Sequence, residues 1–283
     1  DARATAVPDT LRLLAVMVEF LPDDDARTSG NGTFDLTEPL VRMKDPPPHD
    51  FGYFDVHLSF LKNYYAKVSG GLLEIEPVLL PDIYRLPVPM RAYSPPKNSA
   101  DNAELGRLVA DAWRLVDSTT PGTEFERFDA FVIFHAGVGR DIDLVSIYGY
   151  DPTPFDIPSL YLNIGSLRKI FGDDYEGVPV RGGAFTIRNS MIIPETESRT
   201  VPVIGGNILL ELGINGLLAA NVGSHLGLPD LFDTRTGRSG IGRFGLMDGQ
   251  SIFSWGGFIP PEPSAWEKYF LGWGNPLTVA GGS

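Results

Sequence analysis

The stretch Gly216–Asp233, GLLAANVGSHLGLPDLFD, decides how the rest of the chain is read. Its first half ends a run from Ile208 to Gly223 that is apolar almost all round, the pattern of a segment buried in the middle of a molecule. Gly213 and Gly216 each weaken a helix by roughly 1 kcal/mol relative to alanine, and Asn215 is a good N-cap. A helix is therefore expected to begin near 213–216. Gly227 then lets the chain turn sharply, which carries Asp230 back towards the helix.

The spacing is that of a zinc-protease helix. In zincins two histidines four residues apart share one helical face, and a glutamate after the first takes a proton from metal-bound water. The longer form, HExxHxxGxxH or HExxHxxGxxD, adds a third ligand after a glycine. Registered on Gly227 and Asp230, the three slots hold Ala220, Asn221 and Ser224. Alanine has no donor atom, Asn221 cannot accept a proton at neutral pH, and a serine hydroxyl is a poor zinc ligand beside imidazole. Asp230 alone stays a plausible ligand. A register on His225 fails, because it needs a histidine where Asn221 stands.

The flanking residues carry a family resemblance. LGLPDLFDT (226–234), GIGRFGLMDG (240–249) and PSAWEKYFLGW (263–273) resemble the secreted immune inhibitor A type metallopeptidases, and so do LKNYYAKVSGGLLEIE (61–76) and FDAFVIFHAGVGRDID (128–143). The resemblance implies an α/β, zincin-like fold in one domain, 1–283. A twisted, mainly parallel sheet with its helices and the site helix would form an upper lobe, 1–225. A smaller lower lobe, 226–283, would bear a Met-turn, with Met247 under the metal position and Gly227 as the structural turn. It also implies secretion, with Asp1 starting a trimmed chain. All three slots differ at once, whereas a deliberate knock-out changes the base alone, so the loss reads as natural.

Composition sets outer limits. A chain of 283 residues, 43% hydrophobic and 21% charged, is ordinary globular material. Lys+Arg 23 against Asp+Glu 36 gives a net charge of -13, which disfavours nucleic acid and anionic lipid as partners. There is no cysteine, hence no disulfide frame and no thiolate zinc site. No run approaches the length of a membrane-spanning helix, so no membrane insertion is expected, and DARATAVPDT lacks the basic start and apolar core of a signal peptide. TVAGGS at the end reads as a linker.

Along the chain, Leu11–Phe20 fits a strand buried on both faces. Asp23, Asp25 and Asp35, with Asp24 and Asn31, form an acidic loop whose oxygens could wrap calcium or lie solvated. Helices are expected over 53–67 and 102–116, strands over 72–80 and 130–134, and an extended proline-rich loop over 81–97. Strand and helix alternate, as in a layered α/β lobe. His135 ends its strand beside the expected cleft, or is satisfied locally, while His49 and His57 read as structural. From Tyr148 to Arg188 short strands are expected at 159–162 and 184–188 in a segment rimming the cleft, followed by Glu195, Glu197 and Arg199 in a polar loop. Trp266, Tyr269, Phe270 and Trp273 have the spacing of one buried helical face.

The functional expectation is a secreted pseudopeptidase, without zinc, whose cleft keeps a peptide or protein ligand by strand addition to a sheet edge. Two alternatives stand beside it. One is an active metal-dependent endopeptidase rebuilt from some of His225, Asp230, Asp233 and His135 as ligands, with a carboxylate such as Glu211 as base. The other is a calcium-stabilised surface or adhesion module of a larger protein. Oligomeric state is not legible.

Overall fold

The computed structural model describes residues 7–96, 102–203 and 205–274. The leading residues 1–6 and the expected TVAGGS linker lie outside the described residues. The first apolar run forms β1 (Thr10–Glu19), buried on both faces from Leu13 onward. Helix α1 (Phe51–Val68) starts where the Asp50 carboxylate accepts the Tyr53 amide, and it buries Phe54, Leu58, Leu61 and Tyr65 as the spacing predicts. Strand β2 (Glu74–Arg85) runs on through Pro81, past its expected end. It pairs with β1 on one side only, and the register shift between Ala15 and Met17 falls at the proline. Helix α2 (Ala103–Thr119) buries Leu105, Leu108, Val109, Ala112 and Trp113, and β3 (Ala130–Val138) follows with its side chains buried on both faces.

The 148–188 segment holds more order than a rim. Helix α3 (Leu144–Tyr148), β4 (Leu160–Asn163), α4 (Ile164–Phe171), β5 (Val178–Val180) and β6 (Phe185–Ile187) succeed one another, with β5 and β6 paired antiparallel. Strand β7 (Asn189–Thr196) was hidden in the sequence by polar flanks and Pro194, which sits beyond the β4 pairing where the register with β3 shifts. Glu195, Glu197 and Arg199 are therefore buried at and beyond the end of a central strand, not exposed in a polar loop. β8 (Arg199–Val203) and β9 (Gly206–Leu210) form a hairpin. Ile208 and Leu209 on it are 54% and 41% exposed, so the buried run begins only after them.

Helix α5 (Asn215–His225) comes next, then the short strands β10 (Phe232–Asp233) and β11 (Arg238–Ser239) and helix α6 (Ala265–Phe270). The aromatic face expected over 266–273 does not form. Gly272 turns at φ +76°, Trp266 is exposed and stacks on Phe270, and Trp273 reaches Tyr65 from beyond the helix. The side chain α6 buries is Glu267, which accepts the Met247 amide at 3.0 Å and closes a capping box with Ser264.

The five central strands lie in the order β2-β1-β3-β7-β4, all parallel except the edge strand β4. The molecule is mixed α/β with a mostly parallel sheet. Alternate residues of β1 divide the core: Leu13, Ala15 and Met17 meet α1 and α5, while Leu14, Val16 and Val18 meet α2. Among the described residues no helix is long and apolar enough to cross a membrane.

Helix α5 starts where its sequence predicts, but Asn215 does not cap it. Its amide oxygen meets His57 Nδ1 at 2.7 Å and its nitrogen donates to the Phe258 carbonyl, tying α5 to α1 and to the lower segment. Tyr65 adds a second tie from α1, donating to the Ala219 carbonyl at 2.7 Å. Opposite them a Cβ on Gly216 would lie 1.8 Å from the Ile252 carbonyl oxygen. Gly216 is thus required by packing, although propensity marks it as a weakness. Gly216→Ala is expected to lower unfolding free energy by about 3 kcal/mol in urea denaturation, since overpacking outweighs the roughly 1 kcal/mol propensity gain; a stabilised variant would refute the close contact.

Candidate functional site

Positions four apart on a helix share a face, so Ala220 and Ser224, with Asn221 beside them, look out from α5 on one side. The structure brings all three together with Asp230 and Met247 around one cavity of about 290 Å³. Gly227, at φ +91°, makes this possible: the Leu228 amide folds back on the Gly223 carbonyl, and the chain returns past the helix end to place Asp230 at the rim. Met247 is buried with its sulfur against Gly223, where an added Cβ would lie 2.7 Å away. The wall facing α5 comes from Ser159, Leu160 and Tyr161 at the edge strand β4, with Asp141 beside them.

The polar atoms here are acceptors and hydroxyls. Asn221 donates its amide nitrogen to the Leu217 carbonyl at 2.9 Å, while its Oδ1 is buried with no partner. The Ser224 hydroxyl turns back to the Ala220 carbonyl at 3.3 Å. Asp230 makes no hydrogen bond or ion pair among the described residues, and partial desolvation pushes its carboxyl above the usual range. Neither Arg238 nor Arg243 pairs with it: the Arg243 guanidinium goes to Gln250.

The remaining site residues read from sequence lie elsewhere. His225 sits behind the cavity wall with Nδ1 3.1 Å from the Tyr161 hydroxyl, and burial lowers its pKa to about 4, leaving it neutral at pH 7. His135 does not face the cleft. It is fully buried on the sheet face away from α5, 6.1 Å from the Phe20 ring, with its pKa pushed down to about 4 by desolvation. This follows from strand alternation, because Phe134 takes the α1 and α5 side. Glu211 accepts the Lys44 amide, and Asp233 braces its turn by accepting the Arg235 amide at 2.9 Å.

The three candidate calcium aspartates turn to different partners: Asp25 to Arg27 and Arg91, Asp23 to the Asp25 amide, and Asp35 to Thr37. Asp35 also borders a larger cavity, about 770 Å³, across the ends of β3 and β7 where His49 Nδ1 meets Glu195 at 2.7 Å. Among the described residues no three His, Asp or Glu side chains are grouped so as to hold a metal ion.

Sequence reasoning missed Asp141, Ser159 and Tyr161, which become neighbours of α5 only through the β4–β7 pairing. It also missed the carboxyl cluster behind them. Asp141 accepts the Ser159 amide and hydroxyl and lies near Glu197; desolvation raises both, and their mutual repulsion pushes Glu197 up further. Arg199 lies 3.2 Å from Glu197 and 4.0 Å from Asp156.

No protein-family model matches the chain, and a search of the curated proteins returns no match.

Asp156 gives the cluster a measurable signature. It is fully buried, accepts the Ser29 amide and hydroxyl, and burial raises its pKa from 3.8 to about 6. An acid raised on folding contributes stability that is complete below about pH 4 and gone above about pH 6. Asp156→Asn should therefore shrink the fall in Tm between about pH 4 and about pH 7 relative to the native chain. Parallel profiles would show that Asp156 titrates normally.

Proposed function

We propose that this chain is a secreted, metallopeptidase-like protein of the immune inhibitor A type that has lost zinc and hydrolysis and retains its cleft as a peptide-binding groove. The observation that carries the reading is the convergence of Ala220, Asn221, Ser224, Asp230 and Met247 on one cavity beneath an edge strand. The motif register puts those residues at the two first-helix slots, the second histidine slot, the third-ligand slot and the Met-turn. A frame kept in place with its donors replaced is what loss of chemistry on a retained fold leaves behind.

Zinc does not fit the residues present. The cavity lining holds no imidazole among the described residues, and its side-chain oxygens come from the carboxyls of Asp230 and Asp141, an amide and hydroxyls. Zinc sites in proteins draw on histidine or cysteine with well-placed carboxylates. With no fitting ion and no base next to it, no hydrolytic step is assigned. Binding is favoured instead by β4: it is the edge of the sheet, paired with β7 on one side only, so a peptide in extended form can add to it as a further strand.

The test is metal content per chain after dialysis against trace zinc, for the native chain and for the triple variant Ala220→His, Asn221→Glu, Ser224→His. The native chain is expected to retain no zinc above background and the variant to retain one equivalent. Stoichiometric zinc in the native chain would overturn the reading.

A further inference from the structure

The cavity between α5 and β4 is lined by carboxyls and short of donors. Two carboxylates, Asp141 and Asp230, line it, and none of its described lining residues is Lys, Arg or His. Asp230 has no partner among the described residues. Asn221, more than nine-tenths buried, leaves its Oδ1 unsatisfied in the same lining. A buried acceptor without a donor is costly, and a partly desolvated carboxylate with no partner gains from an opposite charge. The rest of the lining is apolar or aromatic, including Leu217, Met247 and Ile252, with the rings of Tyr161 and Phe232 available to a cation.

We propose that this cavity selects a cationic group, the ammonium or guanidinium of a basic side chain on a peptide laid along β4. The inference rests on the peptide-groove reading and names its specificity. The head of the side chain meets Asp230 and Asn221 Oδ1, and its methylene stem lies along the apolar floor. A volume of about 290 Å³ is small for a whole ligand, since such pockets run roughly 300–1,000 Å³, and suits one side chain. The net charge of -13 draws basic peptides towards the molecule in general, but only the lined cavity distinguishes one position of the peptide from the next.

The test uses calorimetric titration of the native chain with a blocked alanine pentapeptide bearing lysine at its centre, its norleucine and glutamate counterparts, n-butylammonium alone, and calcium alone. The lysine peptide is expected to bind about tenfold more tightly than the norleucine peptide, the size of one hydrogen-bonded charge contact. Asp230→Asn, an exposed position without partners, should remove most of that preference while leaving Tm unchanged, and Asn221→Ala should weaken it independently. Equal binding of the lysine and norleucine peptides would overturn the cation selectivity and leave the groove standing. Asp230-dependent binding of butylammonium with no peptide bound would uphold the cation site and overturn the groove. Binding of calcium alone, or of nothing, would overturn the proposal outright.

Discussion

Close contact between helix α5 and the segment that follows it is the constraint on which the cleft depends. Gly213 faces the Phe258 ring, Gly216 the Ile252 carbonyl and Gly223 the Met247 sulfur, each nearer than an added Cβ would allow. From the other side α1 fixes the helix through His57 and Tyr65. Held between these surfaces, α5 has little freedom to roll, so the face carrying Ala220, Asn221 and Ser224 points at β4. Glu267 completes the clamp: buried on α6, it holds the Met247 amide and so fixes the turn beneath the helix. A buried carboxylate that accepts two backbone amides braces the turn from within the protein.

On the proposed reading, the same clamp lets a site that has lost metal chemistry keep its form. In a small metal-built domain the ion supplies folding energy, and removing its ligands removes the fold. Here the contacts that place α5 are apolar packing and hydrogen bonds among side chains outside the motif slots, so those slots are free to change. The residues at 220, 221 and 224 are small or neutral, and the carboxyls lining the cavity are Asp230 and Asp141. On the proposed reading, selection then acts on recognition along β4 in place of bond cleavage.

Much of the fold could be read from residue order. The buried strand at Leu11, the helices around Phe54 and Leu108, and the helix starting near Asn215 carried strong periodicity, and Gly227 marked its turn. Strand β7 could not be read, because only Met191, Ile192 and Ile193 are apolar and its burial comes from neighbours distant in sequence. His135 shows the opposite limit: its strand was evident, but which face it occupies depends on pairing register, and a one-residue difference sends a side chain to the other layer. The motif fixed one wall of the site. The other wall, Asp141 with Ser159 and Tyr161, needed the edge pairing that sequence does not display.

On the proposed reading, β4 receives an extended peptide without any metal. Hydrogen–deuterium exchange of the native chain in a chelator, with and without a saturating basic peptide, tests it at the strand itself. Backbone amides of residues 160–163 are expected to exchange more slowly, while those of α2, on the far face of the sheet, are unchanged. Unaltered exchange along β4, or protection that appears only when zinc is restored, would contradict it.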